Sequence, residues 1–336
     1  MLQAAIVGLG WWGRTLVQAV QGKSQEIRFI AGATGRRARA EDFAREAGLD
    51  LVDRYEDLLA DPGIEAVVLA TPHLDHEAQV IAAARAGKHV FVEKPFALEK
   101  ASAERAVAAA RESGIVLGLG HNRRFHPNMG ILRERVRTGS LGTILHCEGT
   151  MTSPSGLFLK QDSWRTDPHQ SPAGGMAGLG IHMVDGMIDV IGPVSKVCCQ
   201  SVHRAVPSGA QDTTSILLRF ENGVTGFVSC MTATAPFYRF TVYGTKGIAE
   251  ITTPSLDHFN LYPAPQAHPS TDPTRRPVER HYAPAVDTVR LELEAFAEAI
   301  RGGTPFPITP AEMAHGSAVF EAVTRSSAEC SWVSVP

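Results

Sequence analysis

The chain has 336 residues, 44% of them hydrophobic and 20% charged, with a formal net charge of −3. That is the profile of an ordinary globular protein with room for two domains, and the mixed charges exclude nucleic acid or an anionic bilayer as an expected partner. No apolar run reaches the roughly 20 residues that a membrane-spanning helix needs, and the first strand signal starts so near Met1 that no signal peptide is expected.

The apolar run Ala4–Val7 leads directly into Gly8-Leu9-Gly10-Trp11-Trp12-Gly13, and Leu16, Val17 and Val20 follow at helical spacing. Strand, glycine turn and helix in this order give G-x-G-x-x-G its dinucleotide-binding meaning. The first glycine allows the tight turn and the second lets backbone approach a pyrophosphate. The third lets helix and strand pack closely, so that the helix amino end faces the anion. Trp11 and Trp12 either cover the cofactor or fill a seam by packing, and packing is the favoured reading.

Strand signals at 27–33, 66–70, 89–92 and 116–119 alternate with amphipathic stretches at 38–47, 55–59, 75–86 and 98–113. Short apolar strands alternating with helices predict a doubly wound parallel sheet with its ligand at the carboxyl ends of the strands. An NAD-selective domain carries an Asp or Glu after its second strand, but this chain has Thr34, Gly35, Arg36 and Arg37 there. A carboxylate would repel a 2′-phosphate, whereas a hydroxyl and guanidinium groups receive one, so NADP is expected ahead of NAD. The opposing reading is that these arginines only solvate the next helix. The loop Thr71-Pro72-His73-Leu74-Asp75-His76 then borders the nicotinamide half of the cofactor by the same topological rule, which brings in Thr71, Pro72 and His76.

Glu93-Lys94-Pro95 ends the next buried strand. Proline fixes the local turn, with a cis bond as one option, and so aims the lysine amine. A partly desolvated amine beside a cationic nicotinamide has a lowered pKa and is suited to exchange a proton with a hydroxyl. Taken alone, a lysine at a strand end is more often a surface residue.

Near Gly120 the pattern changes. A helix at 128–138 precedes β-like runs at 143–151, 194–203, 213–220, 224–231 and 239–243, with Asn222-Gly223 read as a two-residue hairpin turn. The stretch 253–284 is rich in proline and polar residues and reads as a surface excursion. Helices at 291–300 and 311–324 close the chain. Between Gly174-Gly175 and the strands, Ile181, Val184, Ile188 and Ile191 recur at helical spacing, with His182, Asp185 and Asp189 on the opposite polar stripe. The five cysteines (Cys147, Cys198, Cys199, Cys230 and Cys330) lack paired zinc-site spacing and read as reduced core residues of a cytoplasmic protein, with no metal expected.

Gly8–Gly13, Thr71–His76, Gly87–Pro95, Asn122–Pro127 and Gly174-Gly175 … Gly180-Ile181-His182-Met183-Val184-Asp185 together resemble the glucose–fructose oxidoreductase / inositol dehydrogenase / MocA (Gfo/Idh/MocA) family across nearly the whole chain. The resemblance implies an amino-terminal Rossmann domain over residues 1–121. Residues 122–336 would form an α+β domain that binds substrate and makes a homodimer or homotetramer through a large, mainly antiparallel sheet. It also implies Lys94 as the central catalytic residue and His182 as the contact to the reacting hydroxyl. Asn122, Arg123, Arg124, Trp164, Arg165 and Asp185 would lie near the substrate, and Glu93 near the cofactor.

Two departures stand out. The family commonly reads D-x-G-x-H, and its aspartate position is Gly178 here; Asp185 is the candidate to support His182 instead. A tyrosine often precedes Arg-Phe in relatives, where this chain has Arg123; an added guanidinium near the substrate would favour an anionic ligand such as a carboxylate, and a solvent-facing Arg123 is the competing reading. The expected activity is hydride transfer between a nicotinamide and a secondary alcohol or ketone of a sugar or polyol. Two alternatives stand beside it: a cis-dihydrodiol dehydrogenase on a carboxylated cyclohexadiene diol, and a nucleotide-binding regulator without turnover.

Overall fold

A computed structural model describes residues 1–161, 163–264 and 279–336. By packing, these fall into two compact units, Met1–Asn122 with Asp287–Ser317, and Arg123–Val286 with Ala318–Pro336. The partition differs from a single cut between residues 121 and 122 in that Asp287–Ser317 return to the first unit.

In the first unit, β1 (Leu2–Val7), α1 (Trp11–Val20), β2 (Ile27–Ala33), α2 (Glu41–Ala47), β3 (Asp50–Val52), α3 (Tyr55–Ala60), β4 (Ala66–Leu69), α4 (His76–Arg85), β5 (His89–Glu93), α5 (Lys100–Glu112) and β6 (Leu117–Gly120) alternate along the chain. The six strands pair in the order β3-β2-β1-β4-β5-β6, all parallel, so the strand order reverses beside β1. Every residue of β4 is buried, as expected for a strand covered on both faces. This is the doubly wound Rossmann sheet, and its ligand crevice opens outside the carboxyl ends of β1 and β4. The expected first-unit elements all form, with ends shifted by a few residues, and β3 is an added edge strand.

The rest of the chain supplies α6 (Pro127–Arg137), β7 (Ile144–Thr152), α7 (Ile181–Ile191), β8 (Val194–Val202), β9 (Thr213–Phe220), β10 (Thr225–Met231), β11 (Phe237–Gly244), β12 (Gly247–Thr252), β13 (His258–Pro263), β14 (Glu279–Tyr282), α8 (Thr288–Ile300), α9 (Pro310–Glu329) and β15 (Val333–Ser334). α8 packs in the first unit. Phe296 meets Phe91 of β5 edge-on with ring centroids 5.6 Å apart, and a Cβ on Gly118 would lie 2.9 Å from both rings. Glycine at 118 is therefore what lets α8 settle on the sheet.

The second unit is built on a nine-stranded sheet, β14-β13-β12-β11-β7-β10-β9-β8-β15. It is antiparallel except where β10 runs parallel to β7. Along β9, β10 and β12 burial alternates residue by residue, the mark of a sheet covered on one face only.

Three expectations are corrected here. Part of 253–284 is not an excursion but sheet, as β13 and β14, where His258–Pro263 alternates well enough to pair with β12; residues 265–278 lie outside the described residues. The β9–β10 hairpin has three loop residues rather than two. Phe220 and Val224 close the ladder, Gly223 N–H donates to the Phe220 carbonyl at 3.1 Å, and Gly223 sits at φ 87°, the position that favours glycine in a three-residue loop. Finally, Cys147, Cys199 and Cys230 are buried, but Cys198 is half-buried and Cys330 exposed; all five are free thiols.

Candidate active site

The glycine turn has the shape that the motif requires. Gly8 sits at φ 94°, and a Cβ there would lie 2.5 Å from the Ala70 carbonyl oxygen; one on Gly13 would lie 1.9 Å from the Gly8 carbonyl oxygen. Neither position admits a side chain. A Cβ on Gly10, by contrast, would meet nothing within 4 Å, so the backbone is open just where α1 starts. No side chain caps that helix end and its first turn holds no acid, which leaves its N–H groups for an anion. These residues fit a dinucleotide pyrophosphate. Leu9 is buried, Trp11 is 78% exposed and Trp12 half-buried, so packing does not account for Trp11.

At the end of β2, Thr34 is half-buried and Arg36 is exposed, while Arg37 is already engaged, donating to Asp53 Oδ1 at 2.6 Å with Glu41 at 3.6 Å. Of the two guanidinium groups expected at a 2′-phosphate, Arg36 is the one not tied to a neighbouring carboxylate among the described residues. A residue missed in the sequence stands beside this loop. Arg14 of α1 donates from Nε to the Leu9 carbonyl at 3.3 Å and also to the Arg39 carbonyl, joining the glycine turn to the loop after β2.

His76 bridges two loops at the carboxyl ends of the strands. It is fully buried, with Nδ1 3.0 Å from the Pro95 carbonyl oxygen and Nε2 3.2 Å from that of Thr71. It therefore ties the loop after β4 to the loop after β5. Thr71 Oγ1 donates to Gln79 at 2.6 Å, and Pro72 is half-buried beside it. Asn122 donates to Thr288 Oγ1 at 2.9 Å, which fastens the end of this unit's chain to α8.

Lys94 emerges from the carboxyl end of β5, on the sheet edge that carries the glycine turn, and the Lys94–Pro95 peptide is cis. The neighbouring Glu93 is 5% exposed. Its Oε2 accepts from the Lys94 N–H at 3.2 Å, and its Oε1 is buried without a hydrogen bond. Burial pushes this carboxyl up to about 7, against the lowering influence of the Trp12 indole and the Lys94 charge.

In the second unit the substrate candidates separate into two groups. Arg124 is buried and bridges two acids of α7. Its Nε donates to Asp185 Oδ2 at 2.9 Å and its Nη2 lies 2.8 Å from Asp185 Oδ1, with Asp189 3.5 Å from Nη1; Arg133 grips Asp189 from the far side at 2.6 Å. The polar stripe of α7 is thus not solvated: Asp185 and Asp189 face guanidinium groups from α6 and the turn before it. Asp185 and Arg124 pair with each other and hold the helix that carries His182. His182 is half-buried in the first turn of α7, which a π-helical turn, Met176–Gly180, introduces. Just before that turn Ala173 and Gly174 take φ 53° and 52°, an unfavourable conformation for alanine of the kind that clusters at functional sites.

Arg123 belongs to the other group. Its guanidinium lies 5.2 Å over the Tyr238 ring, and its Nη1 donates to the Pro254 carbonyl at 3.4 Å. Arg165 stacks 4.4 Å over Trp164. Desolvation lowers the pKa of the half-buried Arg123, whereas Arg165 is exposed. Among the described residues no group of three His, Cys, Asp or Glu side chains is placed to hold a metal, and no helix is long and apolar enough to cross a membrane.

Comparison with known proteins agrees with this architecture. Residues 2–121 match the oxidoreductase family with an NAD-binding Rossmann fold, and residues 131–250 match the GFO/IDH/MocA C-terminal domain. Trans-1,2-dihydrobenzene-1,2-diol dehydrogenase of Mus musculus is 32% identical over 229 residues, covering 68% of this chain and 67% of that protein. The scyllo-inositol 2-dehydrogenase (NAD(+)) of Bacillus subtilis is 28% identical over 321 residues, 90% of this chain and 87% of its own. Levoglucosan dehydrogenase, solved with NADH and L-sorbose, has the same fold: TM-score 0.86 at 23% identity, covering 100% of this chain and 99% of the other.

Proposed function

The chain belongs to the Gfo/Idh/MocA family of oxidoreductases, and on that premise we propose that it is an NADP(H)-dependent dehydrogenase of a secondary alcohol on a sugar, polyol or related sugar derivative. The family assignment makes it an oxidoreductase of CH–OH groups on a nicotinamide-binding Rossmann fold. The relatives named for scyllo-inositol and for 1,5-anhydro-D-fructose support the sugar and polyol class. Arg36 and the absence of an acid at Thr34 support the 2′-phosphate.

When bound, the cofactor accepts or returns hydride at its nicotinamide ring. The chain supplies the rest. The glycine turn and the start of α1 hold the pyrophosphate, and Lys94 takes the hydroxyl proton as the alcohol becomes a ketone. His182 orients the same oxygen. Lys94 carries the reading, because its amine leaves the same edge of the same sheet as the open backbone at Gly10.

A second reading, oxidation of a dihydrodiol, has the dihydrobenzenediol dehydrogenase relatives in its favour. A panel of polyols and dihydrodiols followed by NADPH absorbance separates the two. Lys94→Ala tests both: turnover should fall by about 10²–10⁴-fold while NADP(H) binding persists. A protein with NADP(H) affinity and no turnover on any alcohol of the panel would be the regulator instead. The one-sided burial of the nine-stranded sheet supports a homo-oligomer formed through its open face, to be checked by light scattering.

A further inference from the structure

A guanidinium withdrawn from water is ordinarily met by a carboxylate or a full set of acceptors. Arg124 and Arg133 obey that rule through Asp185 and Asp189. Arg123 does not. The residue is half-buried: its Nε is buried with no acceptor, its Nη1 donates to the Pro254 carbonyl at 3.4 Å on the exposed side, and no acid pairs with it among the described residues. The Tyr238 ring beneath it provides a cation–π face but no anion.

Three residues on, His126 repeats the pattern. It caps α6 with Nδ1, which accepts from the Asn128 N–H at 3.2 Å, so the neutral ring carries its proton on Nε2. That Nε2 is buried and has no acceptor either. Two donors in one turn therefore lack partners. The neighbouring loop is held in place for them: Thr253 and Leu256 take φ 75° and 60°, and the Leu256 carbonyl accepts from Asn128 Nδ2 at 2.7 Å.

We infer that the Arg123–His126 turn is an anion subsite for a carboxylate on the substrate, so that the alcohol oxidised belongs to a sugar acid, a uronate or aldonate, rather than to a neutral polyol. This rests on the reading of the chain as a sugar-type dehydrogenase and narrows its substrate class. A carboxylate suits the turn better than a phosphate. The turn offers one fixed positive charge and one neutral N–H, which match the single charge and two oxygens of a carboxylate more closely than the higher charge of a phosphate.

Isothermal calorimetry of the NADP(H)-loaded protein tests this without requiring turnover. The panel sets D-glucuronate, D-galacturonate and D-gluconate against D-glucose, D-galactose and myo-inositol, with D-glucose 6-phosphate as the phosphate arm. At least one acid should bind tenfold or more tightly than its neutral counterpart. Arg123→Leu should reduce that preference below threefold, and Arg123→Lys, which keeps the charge, should retain part of it. Equal binding of acids and neutral sugars by the unaltered protein overturns the subsite, as does a preference that survives Arg123→Leu or a phosphate that outbinds every carboxylate. NADPH absorbance on the same panel is read separately: turnover of neutral sugars with no acid preference defeats the subsite alone, whereas acid binding with no turnover of any alcohol defeats the dehydrogenase reading.

Discussion

The carboxyl of Glu93 fills the space that a side chain on Gly120 would need: a Cβ at 120 would sit 2.7 Å from Glu93 Oε1. β5 and β6 are hydrogen-bonded neighbours with Glu93 opposite Gly120, so the missing side chain on one strand is what buries the acid on the other, next to Lys94.

That burial has a signed consequence for stability. The folded Glu93 carboxyl titrates near 7, above its ordinary 4.5, so between those values the folded state keeps a proton that the unfolded state releases. Stability must therefore fall as pH rises from about 4.5 to about 7 and then level off, by an amount on the order of 3 kcal/mol. Glu93→Gln removes this dependence. Urea unfolding of both proteins from pH 4.5 to 8 should show the variant's advantage growing across that window. Gly120→Ala, which forces the carboxyl aside, should cost about 1–3 kcal/mol at any pH.

Cofactor preference should follow Arg36 more than Arg37. Arg37 is committed to Asp53 and Glu41, so it is less free to meet a phosphate. Arg36→Ala should weaken NADPH by about 10–100-fold, the worth of one charge-assisted hydrogen bond, and leave NADH nearly unchanged. Arg37→Ala should change NADPH affinity less and cost under about 1 kcal/mol of stability, since its ion pairs are exposed. Fluorescence titration with both reduced nicotinamides checks the pair; equal losses for NADPH and NADH in Arg36→Ala would refute the 2′-phosphate assignment.

The acids of α7 should respond as a buried network rather than as a binding site. Arg124 is 5% exposed and contacts both Asp185 and Asp189. Arg124→Leu takes the guanidinium from the buried Asp185, while Asp189 keeps Arg133, and should cost about 3–5 kcal/mol in urea unfolding. A variant that keeps full stability and loses only substrate affinity would return Arg124 to the substrate contacts.

How far the sequence could be read follows from the range of the forces involved. The Rossmann half was legible because its signals are local: a glycine turn after an apolar run, and an acid missing after β2. The apolar spacing of Ile181, Val184, Ile188 and Ile191 likewise gave α7 with its ends correct. What covers the opposite face was not legible, because Arg124 lies 61 residues from Asp185 in the chain and periodicity carries no information about that partner. Separation along the chain likewise hid Gly120 beneath Glu93 and Phe296 against Gly118. β13 was missed because the prolines around it outweighed one short alternating run. Lys94 could be singled out from Glu93-Lys94-Pro95, but the burial of Glu93 beside it depends on a different strand.

Gly178 offers the last test, since the family resemblance leads one to expect an aspartate at this position. A Cβ there would meet nothing within 4 Å, and its φ is not in the region reserved for glycine, so the fold does not require the deletion. Gly178→Asp should then leave unfolding free energy within about 1 kcal/mol of the parent, as helix propensity slightly favours aspartate over glycine. Its carboxylate would lie four residues before His182, one turn away across the π-helical turn that leads into α7. A negative charge at that range favours the imidazolium, so the His182 titration, followed by NMR, should move to higher pH. A stable variant in which that titration does not move would mean that residue 178 faces away from His182, and that the missing acid has no bearing on the imidazole at all.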